Sequence, residues 1–261
     1  MLIDTHCHLN FPDYQGDLDQ VIKNSVDNGV KKIICVSSNL GDSKKSIELA
    51  KKYPDIIYAC VGIHPQQTDP ENPDSAEEQL RQLEKLATQP ETVAIGECGL
   101  DYSPAPPGEK DRTREEQYFL FENQIKLAKK LNLPLVFHPR KATEDFLEII
   151  AEYTPLSGVW HCYTGGKSKI QKVIDFGLYF GIDGNLTYDL GLQNVVRLIP
   201  LEKIVLETDA PFLSTLPHRG LRNEPGNVKI IAKFLAESKT VSVEQICEIT
   251  TDNAIQLFKL K

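Results

Sequence analysis

No stretch of this 261-residue chain approaches the roughly 20 consecutive apolar residues that a membrane helix needs, so no membrane partner is expected. The start of the chain has no basic segment followed by an apolar one, so no signal peptide is expected and the chain reads as cytoplasmic. The six cysteines include no C-x-x-C pair, which argues against a disulfide framework or a cysteine metal knuckle. Cys7, Cys35, Cys60, Cys98 and Cys162 instead fall in apolar strand-like runs, where a thiol behaves as a small buried hydrophobe. A basic excess is also missing. The 29 Lys and Arg against 37 Asp and Glu leave a net charge of −8, which excludes a surface that coats nucleic acid generally. A local phosphate site stays open, because bound metals reverse the charge inside a cleft.

What is present is an ordinary globular composition, 25% charged and 41% hydrophobic, with one strong rhythm. Short apolar strands are predicted over 3–9, 32–37, 56–63, 93–100, 135–137, 158–161, 178–182 and 204–207. Helices are predicted over 18–28, 42–52, from about 75, and over 114–131, 143–151, 168–176, 192–199, 228–236 and 243–260. Ser75 with Glu78, and Ser242 with Gln245, have capping-box spacing. Eight strand–helix pairs in a chain near 250 residues point to a single-domain α/β chain, a closed (β/α)8 barrel covering residues 1–261. The main alternative is an open doubly wound sheet, but the first βα turn has no G-x-G-x-x-G. The Pro-rich stretches 69–74 and 103–108 are read as loops at the rim of the site.

Chemistry in such a barrel gathers at the C-terminal ends of the strands. Five of the six histidines lie there: His6 and His8, His64, His138 and His161. His6 and His8 are two apart on a strand and so share a face, which suits a divalent metal. Asp209 ends the eighth strand, which neighbours the first when the barrel closes, so His6, His8 and Asp209 form one cluster. His138 and His161, from the fifth and sixth strands, form another. Glu97 on the fourth strand can give one oxygen to each. Two divalent ions roughly 3.5–4 Å apart, sharing a water or hydroxide, fit this set. The two dications outweigh the two carboxylates, so the cleft favours an anionic substrate.

Taken together, the segments Asp4-Thr5-His6-Cys7-His8-Leu9, Gly62-Ile63-His64-Pro65, Ile95-Gly96-Glu97-Cys98-Gly99-Leu100-Asp101-Tyr102, Phe137-His138-Pro139-Arg140, His161-Cys162-Tyr163-Thr164-Gly165, Glu207-Thr208-Asp209-Ala210-Pro211-Phe212-Leu213 and Arg219-Gly220-Leu221-Arg222-Asn223-Glu224-Pro225 resemble the TatD-type metal-dependent deoxyribonucleases over essentially the whole chain. The resemblance implies that His6, His8, Glu97, His138, His161 and Asp209 are metal ligands. It implies hydrolysis of phosphodiesters in DNA, single-stranded or at 3′ ends, by exonuclease action. The chain departs from the pattern at Gln66, where another histidine is often found, and at Phe212, where tyrosine is common.

The expected mechanism is two-metal hydrolysis with Zn2+, Mn2+ or Mg2+, in which a bridging hydroxide attacks phosphorus. Asp209 is expected to accept a proton as well as bind metal, and Glu97 to bridge. Glu207, two residues earlier on the same face, is expected deeper in the barrel as support for the ligands. His64 is a candidate phosphate donor or leaving-group acid. Arg140 is expected to face away from His138 and to need a turn in its loop to reach a phosphate. Arg219 and Arg222 are candidates for gripping DNA from the rim. Trp160 is expected to point outward into the helix layer, and Asn185 and Tyr188 are weaker candidates for the site. No obligatory protein partner is expected. A second reading is hydrolysis of a small amide, ester or lactone, as in related barrels; many of those carry a lysine where this chain has Glu97.

Overall fold

The computed structural model describes residues 1–66, 75–104 and 112–261. Eight parallel strands pair in sequence order. They are β1 Leu2–Cys7, β2 Val30–Val36, β3 Ile57–Val61, β4 Thr92–Asp101, β5 Leu135–Arg140, β6 Gly158–Trp160, β7 Tyr179–Ile182 and β8 Ile204–Leu206. The helices α1 Leu18–Asp27, α2 Leu40–Lys52, α3 Ala76–Ala87, α4 Arg114–Leu131, α5 Thr143–Ala151, α6 Ile170–Asp175 and α7 Leu190–Val196 alternate with them, and α8 Val228–Lys239 and α9 Val243–Phe258 end the chain.

Edge strands β1 and β8 meet at their C-terminal ends. A parallel bridge joins Cys7 to Ala210. Asp209 N–H donates to His6 C=O at 2.8 Å, and His8 N–H donates to Ala210 C=O at 2.7 Å. The arrangement is the (β/α)8 barrel read from the strand–helix rhythm.

Two apolar layers hold it. Ile3, Ile34, Val36, Cys60, Ala94, Val136, Val159, Tyr179 and Val205 fill the interior, and Ala254, Leu257 and Phe258 of α9 join them. Asn253 Nδ2 donates to Ile204 C=O at 2.7 Å, which fixes α9 against the start of β8. The alternate strand residues pack outward against the helices. Trp160 is one of them, fully buried with ring contacts to Phe146 and Tyr163. Its outward direction follows from strand alternation after Val159.

Caps account for the earlier starts of two helices. Helix α2 starts at Leu40 because Asn39 accepts from Asp42 N–H at 2.9 Å. Helix α7 starts at Leu190 because Asp189 accepts from Gly191 and Leu192. Ser75 and Ser242 accept at their expected N3 positions. A complete reciprocal capping box also forms at Thr113 and Glu116. Stretch 69–74 lies outside the described residues, and of 103–108 only Ser103 and Pro104 are described.

Two register shifts aim the site residues. One lies between Asp4 and Cys7 on β1, and the other between Ile95 and Cys98 on β4. Ala94 faces the interior, while Ile95 and Cys98 both pack outward. The extra residue between them brings Glu97 to the inner face. Among the described residues, no helix is long and apolar enough to cross a membrane.

Candidate metal centre

The structure brings His6, His8, Glu97, His138, His161 and Asp209 to one place at the C-terminal mouth of the barrel. Glu97 is central. Its Oε2 lies 3.7 Å from His6 Nε2 and 4.0 Å from His8 Nε2. Its Oε1 contacts His138 Nδ1 and lies 2.8 Å from His161 Nε2. Asp209 Oδ1 completes the first pair, 3.4 Å from His6 Nε2 and 3.3 Å from His8 Nε2. Asp209 takes a left-handed backbone conformation, φ 56°, which aspartate tolerates better than most side chains.

The inward nitrogens meet each other. His6 Nε2 and His8 Nε2 are 3.2 Å apart, as are His138 Nδ1 and His161 Nε2. An acceptor backs three of these rings on the far side. His8 Nδ1 faces Val36 C=O at 3.1 Å, His138 Nε2 faces Asp101 Oδ2 at 3.4 Å, and His161 Nδ1 faces Glu207 Oε1 at 3.5 Å. A neutral imidazole has one proton, and these acceptors draw it outward. In that neutral form the inward nitrogens offer lone pairs to a cation, beside two carboxylates. That donor set fits divalent cations, with borderline-soft imidazole and hard carboxylate together. Groups that could hold an ion are His6, His8 and Glu97; His6, His161 and Glu207; and His64, Glu97 and His138.

Electrostatics point the same way. Burial works against charge on Glu97, but His161 and His138 outweigh it and hold its carboxyl well below the usual range. Burial also disfavours charge on His138 and His161, yet Glu97 beside them raises both. Without a cation, Glu97 favours the protonated form of His138 and His161, whereas burial, then His161, holds His6 well below the usual imidazole range.

The remaining candidates are distributed unequally. A cavity of about 640 Å3 over the cluster is lined by His64, Arg140, Asn185, Phe212 and the ligand set apart from His6. Strand β5 runs on through Arg140, and with Pro139 between them His138 and Arg140 share a face. Arg140 therefore lines the cavity without the turn that was expected. His64 Nδ1 accepts from Gln66 N–H at 3.1 Å, so its Nε2 is the free nitrogen. Burial, then the neighbouring His138, lowers its pKa to about 3, and the ring is neutral at pH 7. Arg219 stacks on Tyr188, 4.2 Å from the ring centroid, and Tyr188 donates to Asn185 Oδ1 at 2.7 Å. Arg222 is turned away from the cavity, paired with Asp17 at 2.6 Å and Glu224 at 3.1 Å over the Tyr14 ring.

Three supporting residues were not assigned from sequence. Asp101 orients His138. Gln66 donates to Asp101 C=O at 2.9 Å and Ser103 C=O at 2.7 Å, pinning the end of β4. Asp4 ties β1 to β8. For Asp101 a signal existed, since residues 97, 99 and 101 of one strand share a face.

An eight-stranded barrel whose strand ends converge four imidazoles and two carboxylates defines a metal-dependent hydrolase. The comparisons make the class specific. The family model "TatD related DNase" matches residues 3–259, and the chain belongs to that family. It is 38% identical over 264 residues to the uncharacterized metal-dependent hydrolase YabD of Bacillus subtilis (strain 168), covering 100% of both chains. It is 35% identical to the human deoxyribonuclease TATDN3, covering 98% of this chain and 94% of that one. The crystal structure of YjjV, a TatD homolog from Escherichia coli K12, superposes with a TM-score of 0.89 at 28% identity, covering 100% and 98% of the two chains.

Proposed function

We propose that the chain, acting as one catalytic domain over residues 1–261, hydrolyses phosphodiester bonds in DNA from a 3′ end. It would do so with two divalent ions, Zn2+, Mn2+ or Mg2+, held by His6, His8 and Asp209 on one side and His138 and His161 on the other. The observation that carries this reading is the split of Glu97, whose two oxygens address different histidine pairs. A carboxylate placed so is built to bridge. When bound, the ions polarise phosphate oxygens and activate water near neutral pH.

The chain's own residues supply the rest. Asp209, at the edge of the cavity, accepts a proton from the attacking water. His64, neutral at pH 7, donates from Nε2 to a phosphate oxygen and does not act as the leaving-group acid. Arg140 at the cavity wall pairs with a backbone phosphate. Arg219, on Tyr188, lies in the loop after β8 and steadies the strand further out. Arg222 holds Asp17 and Glu224 and leaves the substrate alone.

The name of human TATDN3, a deoxyribonuclease, supports DNA as the substrate. Glu97 at the position where many amide- and lactone-hydrolysing barrels carry lysine favours the phosphodiester reading over the small-molecule one. Labelled single-stranded DNA and a panel of small amides and esters, each with Mg2+ or Mn2+, separate the two. Mononucleotide release is expected. Ester hydrolysis without nucleotide release would refute the nuclease reading.

A further inference from the structure

Among the described residues, three buried polar atoms around the proposed metal centre have no hydrogen-bond partner: His6 Nδ1, His161 Nδ1 and Glu207 Oε2. They are grouped. A ring nitrogen of His6, one of His161 and a carboxylate oxygen of Glu207 lie within 4.8 Å of one another. The two rings stack, with centroids 4.0 Å apart and planes 17° from parallel. His6 belongs to the His8–Asp209 half of the centre, and His161 to the His138 half.

Glu207 is fully buried. Its Oε1 is engaged, accepting from Cys162 N–H at 2.5 Å and facing His161 Nδ1 at 3.5 Å. A buried carboxylate oxygen with no donor is costly, and so is a buried imidazole N–H with no acceptor. Each is the remedy for the other. The space for the carboxylate is built in as well. A Cβ on Gly181 of β7 would overlap Glu207 Oε1, Oε2 and Cδ, so glycine there lets the carboxylate lie flat beneath the two rings.

We propose that Glu207 is a positioning residue shared by both halves of the metal centre. It accepts the Nδ1 proton of His161 directly at Oε1 and that of His6 at Oε2 through one buried water. The buried, unpartnered His6 Nδ1 and Glu207 Oε2, on residues whose polar atoms cluster, give such a water a polar partner on each side. This rests on the metal assignments proposed above. Holding both Nδ1 protons turns both Nε2 lone pairs toward the ions and fixes both rings. Glu97 then joins the two halves from the cavity side, and Glu207 joins them from the barrel side. An acceptor behind a ligand imidazole raises its basicity and sets its tautomer, and losing one costs about 10–100-fold in metal affinity.

The test uses the full chain, loaded with Zn2+ and labelled with 15N at histidine. Long-range 15N–1H spectra distinguish protonated from metal-bound nitrogens ring by ring. In the wild type, protonated Nδ1 is expected on both His6 and His161. In Glu207→Gln, those two rings are expected to change while His8 and His138 keep their signals, and Zn2+ affinity by chelator competition is expected to fall about 10–100-fold. Gly181→Ala, which crowds the carboxylate, is expected to disturb the same two rings. An unprotonated His6 Nδ1 in the wild type would overturn the proposal, and this result needs no variant to fold. A Glu207→Gln change confined to His161 would overturn the shared role. Wild-type zinc stoichiometry separately tests the two-metal reading, and the ring signals can be read even at one ion per chain.

Discussion

Asp4 on β1 grips Thr208, just past β8, with both carboxylate oxygens: Oδ1 accepts the backbone N–H at 2.9 Å, and Oδ2 accepts the hydroxyl at 2.6 Å. Oδ1 also accepts from His6 N–H at 3.2 Å. This fully buried clasp closes the barrel seam beside two proposed ligands, His6 and Asp209. Asp4→Ala strands the Thr208 and His6 donors. Each buried orphan costs about 1–3 kcal/mol, so a loss on the order of 3 kcal/mol in urea denaturation is expected, with weaker metal retention. A change below about 0.5 kcal/mol would mean the seam does not depend on Asp4.

Proton release should accompany metal loading. Against the effect of burial, Glu97 raises the pKa of both His138 and His161 in the metal-free protein and so favours their protonated forms. A dication must displace those protons. Calorimetric titration with Zn2+ at pH 7 in buffers of different ionisation enthalpy is expected to give enthalpies that track the buffer. Affinity is expected to weaken as pH falls. Identical enthalpies in all buffers would show that no protons leave.

Asp183, just past β7, makes stability depend on pH in the opposite sense to most carboxylates. Burial, then repulsion from Glu207, raises its pKa from 3.8 to about 7. The folded state therefore binds its proton more tightly than the unfolded chain does. That stabilisation is complete below about pH 3.8 and is lost as pH rises through about 7. In the metal-free protein, Asp183→Asn keeps an acceptor for Asn185 N–H and removes the titration. The difference in unfolding free energy between variant and wild type is expected to grow in the variant's favour from pH 4 to 8, by on the order of 3 kcal/mol. A difference that does not vary with pH would contradict the buried-carboxyl assignment.

The arginines should separate cleanly. Arg140 lines the cavity, whereas Arg222 is committed to Asp17 and Glu224. Arg140→Ala is expected to raise KM for oligonucleotides about tenfold, the equivalent of ~1.4 kcal/mol for one charge-assisted contact. Arg222→Ala is expected to leave KM unchanged and to lower the melting temperature slightly. The reverse pattern in steady-state kinetics would exchange their roles.

The barrel and the convergence of the histidines were legible because both follow from periodicity. His6 and His8 share a face because the β1 register shift lies before Cys7, leaving their i, i+2 relation intact. Glu97 was found from its place at a strand end, although strict alternation from Ala94 would have turned it outward; the shift on β4 that corrects this has no simple sequence signature. Arg222 could not be read, since a rim arginine and one paired across 205 residues of chain look alike until Asp17 is placed beside it. Asp4 and Gln66 are illegible for the same reason: each works on backbone groups brought to it by folding.

Glu97 contacts both histidine pairs from the cavity side, and its removal is the most direct test of the proposed two-metal centre. Wild type and Glu97→Ala would be purified, loaded with Zn2+ or Mn2+, and their bound metal measured by elemental analysis. Two ions per chain are expected in the wild type. Loss of both, together with loss of DNA hydrolysis, is expected in the variant. Full occupancy in Glu97→Ala would contradict the bridging role.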